Sequence, residues 1–596
     1  MVDLRVGLET ARRALLSAQV ALDTVSHNIA NANKEGYKRQ RVELATLEPI
    51  RISTLAGPGF VGIGADVDRI IRLRDAFLEQ GLLTETGVRG SLSAMDEVLS
   101  RLEALFGEPG EGGLRARLEE FFNAWEELSN NPESFTLRSN LREVAQNLIS
   151  AVDRIKRGLD DEIRNLNRLM EIKVEQVNNL AQQIAEINIR LSTREGGQGE
   201  ANDLRDESER LAAKLAQLVN INTQREADGT LTVQIGSFNL VEKGQVNRIR
   251  MELKFDDPLH RQLEFETGTP LRLLSGELKG LVDVRDQVVP DLKLKVNRLV
   301  SVLVNSVNRL HEEQFGLDGT SGRPFFEQIK TGEIRGGVPL PADLTLDTTL
   351  DELGITPGDF FVGQARVIID PSEVRPGTAI TLRELFDRIT QADPTLRVRL
   401  IPPPPSGLPS IVIEQFNPPT ADQEIDLARG TSNVLDVLGL DPDAEVRTAG
   451  TAQFSDAMSS FDLSFPIKDS LDAIAAAAPA EDGGFTGPGD NRGALNIAAL
   501  KSATGLIEGE GLFEFYNSFI SGLGVLAQQN RRSLSAQDLV IKQLKERIES
   551  VSGVNIDEEA IQMLRYQRSF QAASRMVTAI DEALDTIINR MGLVGR

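Results

Sequence analysis

The sequence predicts a multidomain α+β protein, with a discontinuous helical stem built from both ends of the chain and β-rich outer domains inserted between them. Three observations carry this. The chain has 596 residues, more than one core organises, so several domains of about 100–200 residues each are expected. Both termini carry apolar stripes whose steps alternate three and four, the pattern of helices that pack lengthwise on partners. Between them helical periodicity gives way to period two and later returns, so distant segments close onto one stem.

The first stripe reads Leu8, Ala11, Leu15, Ala18, Leu22, Val25, Ile29, Ala32. Its side chains are modest in size, and a lone helix of this kind is marginal in water. The stripe stops at SHNIANANKEGYKRQ, residues 26–40. There Asn28, Asn31, Asn33 and Gly36 offer side-chain hydrogen bonds and permissive dihedrals that end a helix. Lys34, Lys38, Arg39 and Arg41 oppose the negative helix end and suit acidic groups of a neighbour such as Asp557, Glu558 and Glu559. Tyr37 is expected to pack its ring and keep its hydroxyl near water. The expected partner is the last stripe, Met563, Tyr566, Phe570, Ala573, Val577, Ile580, Leu584, Ile587, Met591.

Residues 50–75 alternate as strands do, and GPGFVG at 57–62 reads as a glycine-rich hairpin. Residues 90–220 are helical in pattern. From Ser134 to Leu191 only Gly158 interrupts the stripe, which predicts a helix roughly 85 Å long at 1.5 Å per residue. Asn202 is placed to cap the next helix. Residues 221–275 switch to period two, with Leu231, Val233 and Ile235 on one face. Residues 277–315 return to a helix, with Pro290 at a kink or a start. In 330–450, ARVIID, RVRLI and SIVIEQ read as strands and LRELFDRIT as a helix, with IPPPPSGLP as a stiff loop. Residues 451–468 look extended; 469–480 and 491–547 look helical. The expected domains are 1–48 with 548–596 (terminal, helical), 49–220 with 276–329 and 469–547 (long-helix), 221–275 with 451–468 (β-rich), and 330–450 (α+β insertion).

Composition narrows the function. A net charge of −24 opposes binding to nucleic acid and to anionic lipid. The absence of cysteine removes disulfides, thiolate nucleophiles and Cys-ligated metals. No run approaches the roughly 18 apolar residues that span a bilayer, and MVDLRVGLETARR carries charges throughout, unlike a Sec-type signal. Gly57, Gly59 and Gly62 formally spell GxGxxG, but they lead into strand residues and not onto a helix N-terminus, so no phosphate cradle follows. His27, His260 and His311 stand in no metal-ligand or nucleophile-elbow spacing. No catalytic residue, metal or cofactor is assigned.

The opening stretch LSAQVALDTVSHNIANANKEGYKRQ resembles the N-terminal signature of bacterial flagellar axial proteins, and residues 552–589 resemble their C-terminal signature. GYKRQ, SGVNIDEE, GDNRGALNIAALK (489–501), NDLRDESERLAAKLAQLVNI (202–221) and VNRLHEEQFGLDGTSGRPFF (307–326) are similar to the hook-associated protein 1 family within that group. The region 330–450 matches no motif of the family. The resemblance implies a structural subunit of the hook–filament junction. It implies self-assembly, contact with the hook protein and with the next junction protein, uncleaved export through the flagellar type III apparatus, and a dedicated chaperone on the C-terminal helix. The assembly surface it implies comprises Leu8, Leu15, Leu22, Val25, Ile29, Asn31, Gly36, Tyr37, Arg39, Met563, Tyr566, Phe570, Val577, Ile580, Leu584 and Ile587. Alternatives left open are another axial subunit (hook or distal rod protein), an exported wall-cleaving enzyme whose catalytic carboxylate would lie in 330–450, and a membrane-active protein using its amphipathic ends.

Overall fold

The computed structural model describes residues 2–54, 57–108, 110, 112–195, 200–254, 257–335, 340–341, 343–363, 365–375, 377, 379–401, 409–416, 427–440, 457–507 and 509–586. Its helices are α1 (Val2–Asn31), α2 (Ala76–Phe106), α3 (Leu114–Asn130), α4 (Phe135–Glu195), α5 (Asn202–Leu218), α6 (Glu277–Asp283), α7 (Val289–Glu312), α8 (Leu382–Ala392), α9 (Val434–Val437), α10 (Ala457–Ser460), α11 (Phe465–Asp469), α12 (Arg492–Ala498), α13 (Leu512–Ser552) and α14 (Ile556–Asp585). The strands are β1 (Gln40–Thr46), β2 (Ile50–Thr54), β3 (Gly57–Val61), β4 (Ala65–Arg72), β5 (Asn222–Arg225), β6 (Leu231–Ile235), β7 (Phe238–Glu242), β8 (Gln245–Val246), β9 (Ile249–Lys254), β10 (Asp257–Phe265), β11 (Lys330–Arg335), β12 (Gly358–Val362), β13 (Ala365–Ile369), β14 (Leu396–Ile401), β15 (Ser410–Phe416) and β16 (Leu427–Arg429). The multidomain α+β class expected from the periodicities is the class observed.

The chain forms two compact units, one of Met1–Val98, Arg164–Asp286 and Ala527–Arg596, the other of Leu99–Ile163 and Gln287–Leu526. In the first unit α1 packs on α14 and also on β1 and β4. β1 and β4 pair antiparallel from Gln40↔Arg72 to Thr46↔Ala65, with an irregularity after Glu43. β2 and β3 form the glycine-rich hairpin, with Ile50 opposite Val61. β5 to β8 make a four-stranded meander that buries Leu231, Val233 and Ile235. The α4 residues of this unit bury Leu166, Met170, Val177, Ala181, Ile184 and Leu191. Two asparagines on α4 act as splints to neighbouring strands. Asn188 accepts from the Leu231 N–H at 2.8 Å and donates to the Leu231 carbonyl at 2.9 Å. Asn178 does the same for Ile249 at 2.9 and 2.8 Å. An amide side chain reproduces the donor–acceptor pair of a missing strand, so backbone groups stay paired where helix meets sheet.

In the second unit Phe121, Phe122 and Trp125 of α3 are buried with Phe325 and Phe326, and the rings contact one another edge-on or tilted at centroid distances of 4.8–6.5 Å. α7 is buried on every side between Leu299 and Asn308. Its start follows a π-helical turn, Val284–Val288, with Pro290 in the first turn. The helical run is continuous from Glu277, so the proline removes one N–H from it, and the ladder shifts at the π-helical turn just before. The 330–450 region folds as two three-stranded sheets, ordered β11-β15-β14 and β13-β12-β16, with α8 between them in sequence. Their common core includes Phe360, Leu385, Ile411 and Ile413. Thr381 and Glu384 close a capping box at the start of α8. The proline-rich stretch 402–408 lies outside the described residues.

Three expectations are corrected. Asn202 is not a cap: it is the first residue of α5, Ala201 precedes it without a side-chain bond, and the Asn202 amide donates to Gln40 Oε1 and to the Ile70 carbonyl. Residues 469–480 do not form a helix: Asp469 only ends α11, and the short turn Leu471–Ala473 is all that follows. The alanine backbone pairs elsewhere, Ala475 N–H with His311 and Ala477 with Phe315 in a bridge; tertiary partners outweigh alanine's helix propensity. The described part of 451–468 contains the short helices α10 and α11 and is not extended throughout. Among the described residues no helix is long and apolar enough to cross a membrane.

Candidate functional site at the paired chain ends

The expected assembly residues converge on α1, α14 and the loop after α1. The two helices run antiparallel. A Cβ added at Gly7 would stand 3.3 Å from Ile580 Cδ1, while Asn28 bonds Glu559, so residues 7 to 28 and 559 to 580 span 21 positions on each helix. On α1, Ala11, Ala18 and Val25 are buried, and Leu8, Leu15, Leu22 and Ile29 are half-buried. Ser17, Ala21, Thr24 and Asn28 are buried as well, because α1 also faces β1 and β4. On α14, Ala573 is buried and Met563, Tyr566, Val577, Ile580 and Leu584 are half-buried, whereas Phe570 is 36% exposed. Ile587 and Met591 lie outside the described residues.

At the loop end the contact is polar. Asn28, 1% exposed, makes four hydrogen bonds. Its amide nitrogen donates to the Gln40 carbonyl at 2.9 Å and to Glu559 Oε2 at 2.8 Å. Its oxygen accepts from the Gln40 N–H at 2.9 Å and from the Tyr37 hydroxyl at 2.8 Å. That exhausts the bonding capacity of an amide. Glu559 is as deeply buried, and its second oxygen takes Arg39 Nε at 2.6 Å. Arg39 also reaches Glu558 at 3.0 Å, and its N–H donates to the Ser552 carbonyl. Asn555 caps α14, accepting from the N–H groups of Asp557 and Glu558.

The loop geometry follows from its residues. Asn31 donates back to the His27 carbonyl at 2.9 Å, and Gly36 turns the chain at φ +82°, a region open to glycine at little cost. The Tyr37 ring meets His27 edge-on at 5.6 Å. Its hydroxyl is not left to water, as the sequence suggests, but is taken by Asn28. Burial, and then the carboxylates of Asp203, Asp206 and Glu559, push that hydroxyl above the usual phenol range, so it remains a donor.

The basic cluster divides. Arg39 pairs within its own chain with the acids expected of a neighbour. Lys38 turns inward to Glu79 and Glu209. Glu209 also takes Arg72 at 3.0 Å, Arg74 at 3.4 Å and Arg225 at 2.7 Å, and Arg72 holds Asp206 at 2.6 Å. Burial alone would raise the Glu209 carboxyl, but Lys38, Arg72 and Arg225 outweigh it and hold the group below its usual range. Burial keeps the Asp206 carboxyl above its usual range. This network ties the loop after α1, the end of β4, the start of α2, α5 and β5 together. Arg41 reaches Glu43, at 3.8 Å.

The sequence named Asn28 only as a helix-ending residue and Glu559 only as one of three acids for a neighbouring copy, and Glu209, Asp206 and Arg72 went unnamed. A signal for one of them was present: Glu559 is seven residues before Tyr566, so it is polar at a stripe position. The Asp490–Asn491–Arg492 motif forms a separate clasp in the second unit. Asp490 accepts from Arg492, Thr486 and the Ala478 N–H, and Asn491 donates to the Ser129 carbonyl. Among the described residues no group of three His, Cys, Asp or Glu side chains is arranged to hold a metal ion.

Comparison with known proteins gives three matching family models. Residues 99–326 match the flagellar hook-associated protein FlgK helical domain, 8–38 the flagella basal body rod protein family, and 548–591 the C-terminal family of the basal body rod FlgEFG proteins. Flagellar hook-associated protein 1 of Escherichia coli K12 is 27% identical over 98% of this chain and 99% of its own length. The protein of the same name from Bacillus subtilis strain 168 is 24% identical over the whole of both chains. The structure of the flagellar hook junction protein FlgK from Burkholderia pseudomallei matches with a TM-score of 0.55 at 16% identity, covering 79% of this chain and 100% of that one. At that identity the likeness is one of fold.

Proposed function

This chain belongs to the flagellar hook-associated protein 1 family and is a structural subunit of the flagellar hook–filament junction, and on that premise we propose that its paired ends order on assembly and form the surface by which copies join. The observation that carries this is the state of α1 and α14. The α1 side of their seam includes the small Ala11 and Ala18, and large apolar side chains on both helices remain uncovered: Ile561 is 66% exposed, Leu564 59% and Met576 50%, with Leu16 also exposed. Ordering a residue costs about 1–2 kcal/mol. Apolar burial returns about 25 cal/mol per Å², and alanine-sized side chains bury little area per ordered residue. Neighbouring copies covering the exposed residues supply the remainder, so folding and assembly are coupled.

In this reading the subunit leaves the cell through the flagellar type III apparatus with its ends unpaired. A dedicated cytosolic chaperone covers the C-terminal helix, and the hook protein and the next junction protein become its axial neighbours. The division into 1–48 with 548–596, 49–220 with 276–329 and 469–547, 221–275 with 451–468, and 330–450 assigns assembly to the first pair and outward display to the others. The role is non-catalytic, served by contact surfaces.

The test is hydrogen exchange and limited proteolysis on purified monomer and on assembled junctions. Residues 2–31 and 556–585 are expected to exchange and cleave readily in the monomer and to be protected after assembly. Rigid, resistant ends in the monomer overturn the coupling. In a deletion strain, hooks without filaments and flagellin shed into the medium support the junction role; absent hooks favour a hook or rod subunit.

A further inference from the structure

We propose that Asn28, Glu559 and Arg39 form a register lock that admits one antiparallel alignment of α1 on α14. The apolar seams do not define the alignment by themselves. Leu8, Leu15, Leu22 and Ile29 recur every seven residues, as do Ala11, Ala18 and Val25. On α14, Met563, Phe570, Val577 and Leu584 recur likewise, and so do Tyr566, Ala573 and Ile580. Sliding one helix by a heptad therefore sets apolar against apolar again.

The repeat breaks at one place on each helix. Gly7, Ala14, Ala21 and Asn28 share a heptad position, as do Glu559, Tyr566, Ala573 and Ile580, and the two polar members meet in the observed alignment. There Glu559 receives Asn28 on one oxygen and Arg39 on the other, and Asn28 has all four bonds. A slip that brings Gly7 beside Ala573 sets Glu559 beside Ala21. The carboxylate would then lose Asn28 and Arg39 in a site built to bury it, and Asn28 would lose its carboxylate. An unpaired buried charge disfavours the slipped state roughly a hundredfold or more. A buried polar pair thus sets alignment where apolar side chains set only affinity. The inference needs α1 and α14 to pair, but not that pairing waits for assembly.

The chain contains no cysteine, so engineered disulfides report alignment directly. Gly7→Cys is combined with Ile580→Cys or with Ala573→Cys, in the natural background and in Asn28→Leu/Glu559→Leu, and oxidised in junctions assembled in cells. In the natural background the 7–580 bond is expected at least tenfold faster than 7–573. In the double-leucine background the two rates are expected within about threefold. A retained tenfold preference in that background overturns the lock and assigns alignment to the flanking connections. Equal rates in the natural background, or no 7–580 bond at all, overturn it too. Should the leucine pair prevent the helices from forming, neither bond appears there, and Asn28→Ala carries the same expectation and the same refutation. Filament growth is scored separately: a normal 7–580 bond without filaments counts against the assembly reading and leaves the lock standing.

Discussion

His311 gives the chain an acid-sensitive clasp whose strength can be worked out. It is fully buried at the end of α7, between Trp125 at 6.2 Å and Phe325 at 5.5 Å between ring centres. Its Nδ1–H donates to the Arg323 carbonyl at 2.6 Å, and Nε2 accepts from the Ala475 N–H at 2.8 Å. With one nitrogen donating and the other accepting, the ring is neutral. Burial pushes its pKa down to about 4, the bond to the Arg323 carbonyl opposes that shift, and the nearby Arg138 and Arg323 charges add to it. In the unfolded chain the value returns to about 6.5. Above that, both states are neutral and the ionisation of His311 makes no difference to stability. Between about 6.5 and about 4 the unfolded chain takes up a proton that the folded chain refuses, so stability falls as pH falls, by about 3 kcal/mol in all. Trp125 is the only tryptophan, so urea titration by its fluorescence follows the transition of this region. His311→Gln keeps an acceptor for the Ala475 N–H and removes the titration. It is expected to lower stability at pH 8 by about 1–3 kcal/mol through the lost donor, and to lose less stability than the natural chain between pH 7 and 4, the difference approaching about 3 kcal/mol. Identical pH dependence in both chains would refute the assignment.

Three further outcomes follow from the same geometry. Glu209→Gln removes the carboxylate shared by Lys38, Arg72, Arg74 and Arg225, and urea unfolding should register a loss of about 3–5 kcal/mol. Because the folded Glu209 carboxyl is held below its unfolded value, its contribution is present above about pH 4.5 and fades below it, so the variant's deficit should shrink in acid. Ile29→Asp and Ile580→Asp place a carboxylate in the α1–α14 contact; incorporation into junctions, counted by electron microscopy, should fail while circular dichroism and Trp125 fluorescence stay native-like. Gly36→Ala and Gly90→Ala should part company. The first meets nothing nearer than the Arg210 side chain at 3.6 Å and bears only the positive-φ cost of about 1–2 kcal/mol. The second sets a methyl 2.2 Å from the Gln217 carbonyl of α5, which forces α2 and α5 apart, lowers stability further, and should show as faster hydrogen exchange in both helices.

What was legible in the sequence was what a single segment decides. The expected helix from Ser134 to Leu191 is α4, Phe135–Glu195, because its stripe keeps helical spacing without a proline and Gly158 is tolerated: a Cβ there would press on the Leu105 side chain. ARVIID, SIVIEQ and LRELFDRIT became β13, β15 and α8 for the same local reason. What was hidden depends on partners far along the chain. Ala475 and its neighbours have the composition of a helix, yet their backbone pairs with residues about 160 positions earlier. Asn28 was visible in the motif that stops α1, but its role requires Glu559, 531 residues away. Lys38 looked like part of a surface patch until α5 and α2 supplied carboxylates. Periodicity reports which side of a segment is covered and is silent on what covers it.

The division between apolar seam and polar clasp bears on how a chain with two complementary ends avoids pairing too soon. Apolar attraction is non-directional and grows with area, so large apolar stripes would pair in any alignment as soon as both ends were free. Ala11, Ala18 and Ala32 in the α1 stripe limit that pull. The stronger contacts are placed where they exist only in one geometry: Asn28 is satisfied when the loop at Tyr37 and Gln40 has turned back and Glu559 has arrived, and a partly formed version leaves buried groups unpaired, which is worse than none. Arg39 illustrates the coupling. Its guanidinium reaches Glu559 while its own N–H meets the Ser552 carbonyl, so the end of α13, the start of α14 and the loop after α1 close together. Partial closure at any one of them gains little, and that is the property a subunit needs if its ends are to stay apart until every partner is in place.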